Sequence, residues 1–182
     1  MQTANPVYKI TEKKLKRILL FLFFLTLILF VTLGYLDAPL KTTAAPNGIV
    51  SFELAGNFES AQNILASWNE HAKSYALKSL VIDYVFLISY SLFFAFLIFK
   101  TSRSFSFKEK FTWAKIGVGL GWLQFVAAAS DALENYFLLR LLSGSQNHAF
   151  PQYASQFATV KFLLLSAGIL YLLSGIYLRF KK

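Results

Sequence analysis

The stretch Ile18–Leu36, ILLFLFFLTLILFVTLGYL, runs for nineteen residues without a charged side chain. About 20 apolar residues in a helix span the hydrocarbon core of a bilayer, where the backbone polar groups of a helix are satisfied within the helix itself. The run is longer than the apolar part of a cleavable signal peptide, which covers about 7–15 residues. The stretch therefore predicts an uncleaved first transmembrane helix.

Three further stretches have a similar length and apolar character, at about 79–99, 116–139 and 158–178. The chain of 182 residues is 56% hydrophobic and 15% charged, whereas soluble domains are about 45–50% apolar and about 25% charged. We predict an all-α integral membrane protein. Its single membrane domain, 1–182, should contain four transmembrane helices in an antiparallel bundle.

The basic residues predict how the chain crosses the membrane. Lysine and arginine cluster before the first span, in the connection 100–115 and after the last span. Because basic residues accumulate in cytoplasmic loops, both termini are expected in the cytoplasm, with the protein in the inner membrane if its source is bacterial. The loops 37–78 and 140–157 are then expected on the outer side.

The formal net charge of +9 has the same origin, since most basic residues fall in those cytoplasmic segments. No motif of a nucleic-acid-binding fold accompanies the charge, so we expect no nucleic-acid partner. The chain has no cysteine, and its two histidines both fall in the outer loops. With no thiolate ligand and no metal-binding spacing, we predict neither a metal nor another cofactor.

The loop 37–78 is too long for a bare connection and contains a helical pattern of its own. Apolar residues recur at helical spacing between Asn57 and Lys78, with polar residues opposite them. An amphipathic helix over about 57–78 is predicted, lying on the outer membrane surface or on the ends of the spans. Glu53 precedes it in an apolar run, either at the solvent edge of a short packed element or in a cap that directs its carboxyl group into a site below.

Ionisable residues inside the spans are energetically costly and mark candidate functional positions. At a rise of about 1.5 Å per residue, the charged residues of three spans fall in the outer third of the bilayer. They are Asp83, Asp131, Glu134 and Lys161. Tyr90 shares a helix face with Asp83, and Asn135 lies one turn beyond Asp131. We predict that these side chains, together with Glu53, line one polar pocket that opens outward.

The third span also carries small residues, Gly117 and Gly121, on the face that leads to Asp131. Small residues let helices approach closely, so this face should pack against another helix. We expect that helix to belong to the same bundle. Formation of a homo- or hetero-oligomer through the Gly117/Gly121 face is the alternative.

Three functions are compatible with such a molecule, each with membrane lipids as partners. The leading interpretation is a binding or accessory protein whose pocket takes a lipid headgroup or a small polar ligand through charge-assisted hydrogen bonds. The second is an intramembrane enzyme that modifies a lipid with Asp131 or Glu134 as general acid or base. The third is a structural subunit of a larger complex, whose acids pair with Lys161 or Arg140 to hold the helices in register.

Overall fold

The computed structural model describes residues 5–180, and their side chains as far as residue 177. Every regular element in that part of the chain is helical. Of the basic residues that predict a cytoplasmic C-terminus, Arg179, Lys181 and Lys182 lie outside the described side chains. The all-α class predicted from the sequence is confirmed.

Six α-helices follow one another along the described residues. They are α1 (Glu12–Asp37), α2 (Ile49–Glu53), α3 (Phe58–Ser67), α4 (Glu70–Phe107), α5 (Phe111–Leu142) and α6 (Phe150–Phe180). Short 3-10 helices cover Pro6–Lys9 and Ala38–Leu40. Helices α1, α4, α5 and α6 are each long and apolar enough to cross a membrane, which confirms the four long apolar helices predicted from the sequence.

The long helices extend beyond the apolar stretches that predict them. Helix α4 has 38 residues and α5 has 32, against the roughly 20 residues needed for the hydrocarbon core. The start of α4 is capped by Asn69, whose side chain accepts a hydrogen bond of 2.8 Å from the Ala72 amide. This cap begins the helix well before its apolar part at about 79–99.

The prediction of one amphipathic helix over 57–78 is wrong in its extent, because the chain turns at Trp68. Helix α3 ends at Ser67, α4 starts at Glu70, and Trp68 between them has extended backbone angles. Its side chain is 2% exposed, and its indole N–H donates a hydrogen bond of 2.8 Å to the Leu40 carbonyl oxygen. Burial of the ring and of its polar group fixes a corner here, so the second half of the predicted helix belongs to α4.

The helices pack mainly against their neighbours in the chain. Among the long helices, α1 packs along α4, α4 along α5, and α5 along α6. The largest buried apolar cluster joins α2 and α3 to the adjacent parts of α4 and α5. Its larger members are Leu40, Phe52, Ile64, Leu65, Trp68, Leu80, Leu138 and Leu141. This cluster holds α2 close to the polar residues of α5 and α6.

The close packing predicted at Gly117 and Gly121 occurs within the chain. A Cβ atom on Gly117 would collide with the Tyr171 hydroxyl group and the Ser102 side chain, and one on Gly121 would collide with the Phe99 ring. The two glycines therefore let α5 approach α4 and α6. Helices of the same chain thus occupy the Gly117/Gly121 face.

Candidate functional site

The ammonium group of Lys161, on α6, contacts three carboxyl groups from two other helices. It donates hydrogen bonds to Asp131 Oδ1 at 3.0 Å and to Glu134 Oε1 at 3.1 Å, both on α5. It also lies 3.5 Å from Glu53 Oε2, at the end of α2. One lysine thus connects α2, α5 and α6.

The position of α2, and with it that of Glu53, depends on the turn before the helix. Asp37 Oδ1 accepts a hydrogen bond of 2.7 Å from the Ile49 amide at the start of α2. Gly48 has a φ of +59°, and a Cβ atom there would collide with the Asp37 carboxyl group. Only glycine combines that backbone conformation with such a close approach. The end of α1 therefore orients α2.

A second set of hydrogen bonds joins residues of α4 to residues of α5 beside Lys161. The Tyr90 hydroxyl group donates to Asp131 Oδ2 at 2.9 Å, so both oxygens of Asp131 accept a hydrogen bond. The Asn135 side-chain amide donates to Asp83 Oδ2 at 2.6 Å. The residues predicted to share a pocket thus form two linked groups on neighbouring helices, one around Lys161 and the other made of Asp83 and Asn135. We call this set the acidic cluster, and it consists of Glu53, Asp83, Tyr90, Asp131, Glu134, Asn135 and Lys161.

Most of the acidic cluster is deeply buried. Asp131 is 2% exposed, Lys161 6% and Glu53 8%, and Glu134 is fully buried. Arg140, the other cation considered from the sequence, is exposed, and no ion pair links it to these acids among the described residues. Lys161 is therefore the only base that compensates the buried acids in the part of the chain that the structure describes.

Charge balance sets the chemistry of the acidic cluster. It contains four carboxyl groups and one ammonium group, so full ionisation would leave an excess of three negative charges. Such an excess is strongly unfavourable away from water. Glu53 lies outside the spans, and burial raises the pKa of its carboxyl group above the ordinary value, against the opposing effect of Lys161. Protons or an added cation must therefore neutralise part of the acidic cluster.

A cavity of about 550 Å³ lies beside the acidic cluster, within the range of about 300–1,000 Å³ that is usual for small-molecule sites. Its polar wall belongs mostly to the cluster and includes Glu53, Asp83, Tyr90, Asp131, Asn135 and Lys161. Glu134 does not line it. The remaining predicted site residues therefore face one open volume.

The rest of the cavity wall is apolar and largely aromatic. Helix α1 lines one side and α6 the other, with α4 between them. The main apolar residues are Phe23, Leu27, Phe30, Leu33, Phe86, Phe93, Phe94, Phe162 and Leu165. Sequence reasoning missed the contribution of α1, because its uniformly apolar residues give no periodic signal that separates a cavity wall from a lipid-facing surface.

Among the described residues, no group of three or more histidine, aspartate or glutamate side chains has a geometry that could hold a metal ion. Comparison of the chain with protein-family models, with curated proteins and with solved structures finds no match. What the protein does must therefore be inferred from the acidic cluster and its cavity.

Replacement of Lys161 by methionine should be strongly destabilising, because three buried carboxyl groups would lose their cation. Removal of one partner from a buried ion pair costs about 3–5 kcal/mol. We expect Lys161→Met to unfold at a clearly lower temperature than the native chain in the same detergent. The triple variant Lys161→Met, Asp131→Asn, Glu134→Gln should recover most of the loss, because neutral amides need no counter-charge.

Tyr90→Phe is the matched control, because it removes one hydrogen bond to Asp131 and leaves the ion pairs intact. Loss of such a bond costs about 0.5–1.5 kcal/mol. Equal unfolding temperatures for Lys161→Met and Tyr90→Phe would show that Lys161 does not hold the three helices together.

Proposed function

We propose that this is a membrane-embedded binding protein whose cavity takes a lipid headgroup or a small polar ligand. The observation that carries the proposal is that the acidic cluster borders an open volume of about 550 Å³. Ion pairs that only join helices have no need of such a volume beside them. Charge-assisted hydrogen bonds in a water-poor site are strong enough to select a ligand by its charge.

We infer that the cavity opens on the outer side of the membrane. Basic residues lie at the start of α1 and around the connection from α4 to α5. The acidic cluster lies towards the other ends of these helices, beside α2. With the basic ends in the cytoplasm, the spans would alternate in direction as an antiparallel bundle, both termini would be cytoplasmic, and α2 and α3 would lie over the outer face.

The geometry of the acids favours binding over catalysis. Both oxygens of Asp131 already accept hydrogen bonds, and Glu134 is fully buried and does not line the cavity. A general acid or base has to reach the proton that it transfers. An intramembrane enzyme using Asp131 or Glu134 is therefore the second candidate, and a purely structural subunit would leave the cavity without a role.

Outward opening can be tested by cysteine labelling, because the chain has no cysteine of its own. Gly34 lines the cavity, and a Cβ atom added there meets no other atom within 4 Å. We expect a membrane-impermeant maleimide to modify Gly34→Cys in intact cells, because thiols ionise and react in water. Gly119→Cys, equally unobstructed but on the exposed surface of the third span, should stay unmodified in lipid.

Two further positions report which side of the membrane is reached. Gln146→Cys, in the connection between α5 and α6, should react in intact cells, and Thr112→Cys, at the start of α5, only after the membrane is opened. Reaction of Gly34→Cys only in opened membranes would reverse the proposed orientation. No reaction in either preparation would exclude a water-accessible cavity.

Ligand retention tests the binding function itself. Gly34→Phe should fill part of the cavity, whereas Gly119→Phe adds the same ring to a surface position. Native mass spectrometry of proteins purified from the same membranes should show one enriched bound molecule on the native chain and on Gly119→Phe. Retention by Gly34→Phe should be about tenfold lower, equivalent to about 1.4 kcal/mol. An identical, unenriched lipid content on all three proteins would contradict the proposal.

A further inference from the structure

Asp83 is the one carboxyl group of the acidic cluster that forms no ion pair among the described residues. Its only hydrogen-bond donor among the described residues is the Asn135 amide, whereas the other three acids contact Lys161. Asp83 also lines the cavity. A carboxylate in a poorly solvated site is costly unless a positive charge accompanies it, so the open space beside Asp83 favours a cation.

Lys161 is not available to an anionic ligand. Its ammonium group lies within 3.5 Å of three carboxyl groups, whose negative charge surrounds it. No other basic side chain lines the cavity among the described residues, whereas Asp37 adds a further acid to its wall. A phosphate or carboxylate entering the cavity would therefore meet net repulsion.

Glu53 is a second carboxyl group on the cavity wall that its cation compensates only in part. Its side chain is deeply buried and lines the cavity, yet Oε2 accepts no hydrogen bond among the described residues. Its nearest cation, Lys161, lies 3.5 Å away, beyond the usual length of such a bond. Buried polar atoms in folded proteins nearly always have a hydrogen-bond partner. Because its one contact with Lys161 compensates Glu53 only in part, a positive charge in the cavity is favoured on this side as well.

Aromatic rings stand next to Asp83 on the cavity wall. Phe86 and Tyr90 lie three and seven residues further along α4, with ring centroids 5.2 Å apart, and Phe30 of α1 lies 6.5 Å from Phe86. The faces of aromatic rings attract ammonium groups, most strongly where water is excluded. The surroundings of Asp83 thus combine a negative charge with the ring type that binds cations.

The apolar wall extends away from Asp83 along the same helix. From Asp83 to Phe94, α4 rises about 16 Å, and residues at both ends of this segment line the cavity. Phe23 and Leu27 of α1 line it too and are 43% and 44% exposed, so the wall is continuous with the apolar surface of the span. A wall of this kind suits a hydrocarbon chain.

We propose that the ligand is a cationic amphiphile. Its ammonium group would bind against Asp83 and Glu53, beside the rings of Phe86 and Tyr90. Its hydrocarbon chain would lie along the apolar wall between α1 and α6. This inference rests on the proposed binding function and names the class of ligand.

The test compares four probes on the full chain in a maltoside detergent, with binding measured by native mass spectrometry. The probes are hexadecylamine, hexadecanoic acid, hexadecanol and ethanolamine. We expect hexadecylamine to bind at least about tenfold more tightly than each of the other three. Binding of the acid or the alcohol as tightly as the amine would overturn the cationic headgroup, and equally tight binding of ethanolamine would overturn the amphiphile.

Two variants locate the ammonium group. Asp83→Asn keeps a hydrogen-bond acceptor for Asn135 but removes the negative charge. It should weaken the binding of hexadecylamine about tenfold and leave the binding of hexadecanol unchanged. Phe86→Leu should weaken the binding of the amine more than the binding of the alcohol. This second variant keeps the test valid even if Asp83→Asn does not fold. Glu59→Gln changes an exposed acid on α3 and should alter neither. Unchanged amine binding in both Asp83→Asn and Phe86→Leu would overturn the inference.

Gly34→Phe separates this inference from the binding function on which it rests. Amine binding that persists unchanged in Gly34→Phe occurs outside the cavity and overturns the inference. If Gly34→Phe releases a co-purified molecule while the native chain shows no preference for amines, the binding function stands and the cationic ligand is wrong. If no molecule is retained and no probe binds, the binding function and the cationic ligand are both wrong.

Discussion

The ion pairs of Lys161 are the interaction on which the arrangement of α2, α5 and α6 depends. Three carboxyl groups within 3.5 Å of one ammonium group can be buried only if the helices that carry them keep a fixed register. Glu53 joins this group because Gly48 and Asp37 orient α2 above it. A short helix in the connection between α1 and α4 is thus fixed against the long helices by charge and by its apolar contacts.

The same ion pairs leave part of the negative charge uncompensated, and the packing leaves room beside it. Helix α1 packs along α4, and the cavity lies on the side of α4 that is bordered by α1 and α6. Closing this space would bring phenylalanine rings against Asp83 without supplying a positive charge. An open, amphipathic cavity next to excess negative charge is the combination from which we infer binding of a cationic amphiphile.

Much of this arrangement is encoded in sequence patterns. Long uncharged runs such as Ile18–Leu36 predict the spans because lipid permits little else, and the rise of a helix places Asp131 and Lys161 at one depth. The turn at Trp68 and the wall formed by α1 are different. They depend on a hydrogen bond to Leu40 and on which apolar face meets another helix, and neither leaves a periodic trace in the sequence.

The most direct measurement is an experimental structure of the chain in a lipid bilayer disc, examined between α1 and α6. We predict that Lys161 contacts Asp131 and Glu134 and that elongated density lies along the apolar wall and ends beside Asp83. A structure in which α1 closes against α6, with Asp83 in a dry ion pair and no density between the helices, would contradict the account.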